Sequence, residues 1–232
     1  MESPVQFTTV PTQLRDEFKY LPADDDGSNL AAETQISQDE MAVWTWLVSK
    51  GIVNAMAGLS RMVGNEIKVT SLTLEHLSAK DALDLLGKPE DLTVGVYLTI
   101  HGDATGHLLL MHDPKIAYKL IDIQLGLPLG STQKLEKLEC SILGEMGNVT
   151  GTFFLNALAD ANGLVLMPSP PAVMIDMIGA IMNIPLTFIM EKQEEALVVK
   201  TTFSTDSQQI AGTFMVLPTL DFMKTILRHS GS

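Results

Sequence analysis

One unit of this chain is used twice. At an offset of 99 residues, Leu59, Gly64 and Ile67 fall on Leu158, Gly163 and Leu166 without a gap. The segments NAMAGLSRMVGNEIKV and GTFFLNALADANGLVL therefore read as the same helix-to-strand passage. Each copy continues in a similar order. In the first, Ser78 to Gly87 reads as a short helix with an N-cap and a terminal glycine. Thr93 to His101 alternates Val94, Val96, Leu98 and Ile100 with polar or small residues, which predicts a half-buried strand. Asp103-Ala104-Thr105-Gly106 turns into His107–Met111 to make a hairpin, and Asp113-Pro114 opens a helix that stops before Gly126.

In the second copy, Pro170-Pro171 is expected to begin a helix, with strands over about 186–191 and 195–204. Ala211 to Leu217 forms a return strand, and Pro218-Thr219 starts the last helix. Helices and strands mixed in this way predict an α+β fold, an antiparallel sheet packed on helices. The link Leu125-Gly126-Leu127-Pro128-Leu129-Gly130 is too short and apolar for a flexible linker. One intertwined domain over 40–229 is expected, built from repeats at about 40–127 and 131–229. Of the net charge of −13, residues 1–40 hold −7, with nine acids against Arg15 and Lys19. Residues 1–39 read as an acidic, partly disordered extension whose Phe7, Leu14, Phe18, Tyr20 and Leu21 offer docking points.

The chemistry concentrates at Ser141-x3-Glu145-x2-Asn148-x22-Pro171. At 100° per residue, Ser141, Glu145, Asn148 and Thr152 share one polar stripe of a long helix. Ile142, Met146, Val149 and Phe153 lie on the neighbouring face, which is expected to be buried. Gly144, Gly147 and Gly151 form a third stripe, at a cost of roughly 3 kcal/mol relative to alanine. Such a cost suggests a close backbone approach there, or a partner that must reach the polar stripe.

This spacing, with the flanking GEMGN, FLNALAD and PSPPAV, resembles the CheC/CheX/FliY family of response-regulator phosphatases, CheC above all. The resemblance extends more weakly over about residues 40 to 229. It implies a pseudo-twofold CheC-like fold with two long exposed helices, and hydrolysis of the aspartyl phosphate of a separate CheY-like receiver domain. The receiver would bring its own phosphoaspartate, Mg²⁺ and lysine, so no cofactor is expected on this chain. Asn148 would hold a water in line with the scissile P–O bond, and Glu145 would pair with the receiver lysine. Ser141 and Pro171 would support them, Ser141 by local hydrogen bonding and Pro171 by fixing the next helix start.

Many relatives carry two motifs. Subtracting 99 puts Ala42, Trp46, Ser49 and Leu72 at the first site, and none retains the chemistry. Trp44 and Trp46 are expected in the core, or as a docking surface. The competing reading is a non-catalytic adaptor that binds response regulators or a CheD-like deamidase. A flagellar-switch role of the FliY type is disfavoured, because the chain ends soon after the last repeat helix.

Other classes are weak. The chain shows no basic stripe for nucleic acid, no apolar signal-peptide start and no P-loop. The most apolar run, Ala172–Met190, contains Asp176, Asn183 and Pro185 and does not read as a membrane span. Cys140 alone excludes an internal disulfide, and a cytoplasmic location is expected. The five histidines form no ligand pair on a helix, so no metal site is expected.

Overall fold

The computed structural model describes residues 36–191, 195–207 and 209–230. The acidic segment up to residue 35 lies outside the described residues. Helix α1, Gln38–Val63, opens on Ser37, whose hydroxyl accepts from the Glu40 amide while the Glu40 carboxylate accepts from the Ser37 amide. Such a box satisfies two N–H groups that a helix start leaves bare. Gln38 and Asp39 thus belong to this helix rather than to the extension. The chain continues through β1 Lys68–Leu77, α2 Ala79–Asp84, β2 Leu92–Gly102, β3 Gly106–His112 and α3 Pro114–Leu125. After these come α4 Lys137–Asn162, β4 Leu166–Pro168, β5 Ala172–Met177 and α5 Ile178–Met190. The chain closes with β6 Ala196–Ser204, β7 Ala211–Pro218 and α6 Leu220–Ser230. Helices α1 and α4 are each 26 residues long and end on left-handed glycines, Gly64 at φ 66° and Gly163 at φ 65°.

The seven strands among the described residues join one antiparallel sheet in the order β1-β6-β7-β3-β2-β4, with β5 also on β2. The order is symmetric about the β7–β3 pair. Each half gives its outer strand to the other half: β1 pairs with β6, while β4 and β5 pair with β2. Alternating side chains send Leu108 and Leu110 to one face, under α1, α3, α4 and α6. Leu109 and Met111 go to the other, under α2 and α5. The larger core buries Trp44, Phe154, Phe203, Phe214 and Phe222 almost completely. Trp44 meets Phe222 edge-on at 5.6 Å between ring centroids, an arrangement that adds roughly 1 kcal/mol to simple burial.

Three local expectations fail. Strand β2 is covered on both faces over Thr93–Val96 rather than half-buried, because α5 sits across it with Ile181 against Gly95. The residues after Pro171 form β5 rather than a helix. The outer edge of β2 needs a hydrogen-bonding partner there, and β5 supplies it from Ala172↔Tyr97 to Met177↔Leu92. The run 186–190 is helical, inside α5, and Glu191 caps it. Its buried residues Ile181, Met182, Pro185, Leu186 and Ile189 keep helical spacing straight through the proline.

Candidate functional site

The motif helix α4 is fixed to the sheet by its small residues. A Cβ built on Gly147 would lie 2.4 Å from Cγ1 of Val96 in β2, and one on Gly144 would lie 3.3 Å from Cγ of Pro171. The glycine stripe thus faces sheet side chains and the Pro171 ring; it is neither passed by another backbone nor turned toward a partner. The buried face runs through Leu143, Met146, Thr150, Phe154 and Leu158, whereas Ile142, Val149 and Phe153 are only half-buried. The expected apolar face is therefore rotated toward the glycines, because close approach to the sheet happens where side chains are smallest. Pro171 starts no helix. It sits between β4 and β5, where Ser169 keeps the edge joined by donating its amide to the Thr99 carbonyl at 2.8 Å. The Ser169 hydroxyl accepts from the Thr99 amide at 3.0 Å.

On the opposite face, Ser141 and Glu145 are exposed and Asn148 is half-buried. The Ser141 hydroxyl donates to the Lys137 carbonyl at 2.7 Å, within the helix. Among the described residues, neither the Glu145 carboxylate nor the Asn148 amide has a hydrogen-bond partner. A carboxylate and an amide three residues apart, both pointing outward from a rigid convex helix, suit insertion into another molecule better than enclosure of a small substrate. Glu139, at the helix start, accepts from the Glu136 amide at 3.0 Å.

The equivalent face of α1 is different. Ala42 is exposed, Trp46 is 47% exposed and Leu72 is half-buried in β1, opposite Thr201. Ser49 is buried and donates to the Thr45 carbonyl at 2.7 Å. Of the two tryptophans only Trp44 is in the core; Trp46 lies outside with the Lys50 ammonium 3.5 Å from its ring centroid.

Two features escaped the sequence reading. Asp122, buried in α3, accepts from the amides of Gly130, Ser131 and Thr132 and from the Thr132 hydroxyl at 2.6 Å. Burial pushes its carboxyl up, but these hydrogen bonds outweigh that and hold it below the usual range. The sequence carried only a faint signal, an acid one turn before Gly126 and a loop rich in unpaired N–H groups. His107 and His112 are the other. Both are buried between strand and helix or strand and strand, with Nδ1 of His107 2.7 Å from the Tyr97 hydroxyl and Nδ1 of His112 2.9 Å from the Ala211 carbonyl. No group of three or more His, Cys, Asp or Glu side chains among the described residues is arranged to hold a metal. No helix among them is long and apolar enough to cross a membrane.

Residues 138–175, from the first turn of α4 into β5, match the CheC-like family. The CheY-P phosphatase CheC of Bacillus subtilis (strain 168) is 26% identical over 201 residues, which are 85% of this chain and 96% of that protein. The chain thus resembles CheC over most of its length. Its fold is shared with Thermotoga maritima FliY, at a TM-score of 0.64 and 18% identity over 84% of this chain and 98% of that one. It is also shared with CheX in the CheX–CheY–BeF3–Mg²⁺ complex from Borrelia burgdorferi, at a TM-score of 0.51 and 15% identity over 74% of this chain and 97% of that one. The CheC-like fold thus positions the motif on the outer surface of α4.

Proposed function

We propose that this chain hydrolyses the aspartyl phosphate of a CheY-like receiver domain, through Glu145 and Asn148 of α4. The observation that carries the reading is the pair itself: a carboxylate and an amide on the outer face of a helix pinned to its sheet. The similarity to a CheY-P phosphatase and the shared fold with CheX in a complex with CheY support it. The receiver supplies Mg²⁺ and the phosphoryl group, so the missing contribution is orientation of the attacking water. The Asn148 amide both donates and accepts, and its neutrality avoids repulsion from the phosphoryl oxygens. Glu145 sets the register by pairing with a receiver lysine, a charge-assisted contact that gains strength as docking excludes water. The α1 face contributes no chemistry, because Trp46 and the buried Ser49 replace the carboxylate and amide.

The test is phosphate release from a Mg²⁺-loaded phosphorylated receiver. Wild type accelerates it, and Asn148→Ala abolishes the acceleration, by a factor of 100 or more, while still binding the receiver. Loss of binding in Asn148→Ala contradicts the water-positioning role. An adaptor is the second reading, favoured by the exposed Trp46 on the α1 face; binding by wild type without any release selects it.

A further inference from the structure

The approach to α4 is unusually apolar for a surface. Leu125, Leu127, Leu129 and Leu138 are 40%, 44%, 54% and 58% exposed. Leu135, from the same segment, packs against the core, so the outward leucines are not simply a segment that failed to find cover. Nor is the loop that carries them loose. The Leu127 amide donates to the Asp122 carbonyl at 2.8 Å, and the Asp122 carboxylate gathers the amides of Gly130, Ser131 and Thr132. Helix α3, which presents Asp122, packs on α4.

Leu138 precedes Glu145 by seven residues, two helical turns, and so lies on the same stripe about 10 Å away along the axis. A partner whose phosphoaspartate reaches Asn148 must pass along this stripe. A specific interface covers about 800 Å² on each partner, far more than one carboxylate and one amide present. The surplus has to come from surface that gains by losing water, and on the motif's own stripe that surface is Leu138.

We propose that these leucines form an apolar foothold for the receiver, with Leu138 its anchor and Leu127 and Leu129 a second point of contact. The inference rests on the receiver reading and adds what sets affinity and receiver choice. The foothold acts on binding alone, because none of its side chains reaches the phosphoryl group.

Two variants of the full chain test it, Leu138→Gln and the pair Leu127→Ser with Leu129→Ser. Each is assayed for phosphate release from the phosphorylated receiver and for binding to the beryllofluoride-loaded receiver. Both variants are expected to raise KM and Kd about tenfold and to leave kcat within twofold of wild type. Should Leu138→Gln lower the melting temperature, the loop pair, on a separate element, carries the test. Unchanged KM and Kd in a folded variant overturn the foothold, as does a fall in kcat at constant KM. Absence of release by wild type defeats the phosphatase reading instead, and the Kd comparison still decides the foothold.

Discussion

Gly147 sets the height of the motif above the sheet. With 2.4 Å between its would-be Cβ and Val96 Cγ1, even one methyl group must lift α4 or displace the strand side chain. Gly147→Ala is expected to cost about 1–3 kcal/mol in a denaturant melt, overriding the usual helix preference for alanine. Val96→Ala in the same chain should recover part of that loss. If the double variant is no more stable than the sum of the singles predicts, the two side chains are not in conflict. At this scale the sequence was half legible. The glycine stripe announced a close approach, but glycines 144, 147 and 151 do not say whether backbone or side chain approaches. Asp122 was hidden because its partners are backbone N–H groups, which every residue but proline has.

Helices and strands were readable where period and punctuation agreed. The C-terminal passages of both long helices, the β2–β3 hairpin and α3 follow from apolar spacing and from Asp113 and Gly126 at the ends of α3, whereas the Ser37 cap fell inside the stretch read as extension. Where punctuation contradicted period, proline misled. Pro170-Pro171 looked like a helix start and precedes an edge strand, while Pro185 lies inside α5, just before a run that was read as a strand. The edge strand was beyond local reading, since the demand for it comes from β2, with partners from Tyr97↔Ala172 to Leu92↔Met177 far apart in the sequence. In the proposed complex, α4 brings its exposed carboxylate to the receiver. Glu145→Ala is therefore expected to weaken receiver binding at low salt, and the difference from wild type should shrink as ionic strength rises. An affinity unchanged at low salt removes the lysine pairing.

For the whole molecule, acid is a weak point. Burial lowers His112 to about 4 and His107 to about 4, from an ordinary 6.5. The unfolded chain then takes up protons first, so the stability these neutral imidazoles confer is complete above pH 6.5 and lost as pH falls toward 4. For the fully buried His112 alone, the loss between pH 7 and 5 amounts to about 2 kcal/mol. Urea unfolding at the two pH values should show this difference for wild type and a smaller one for His112→Asn; equal pH dependence rules His112 out as its source. The sheet itself shows why the two halves stay together. Among the described residues, four ladders, β1–β6, β3–β7, β2–β4 and β2–β5, run between the halves, and two, β2–β3 and β6–β7, run within them. The half that lacks the carboxylate and amide pair is thus still indispensable, since its strands complete the sheet of the half that carries it. A change at the exposed Ala42 or Trp46 leaves every one of these ladders in place, whereas loss of the strands behind them opens both halves.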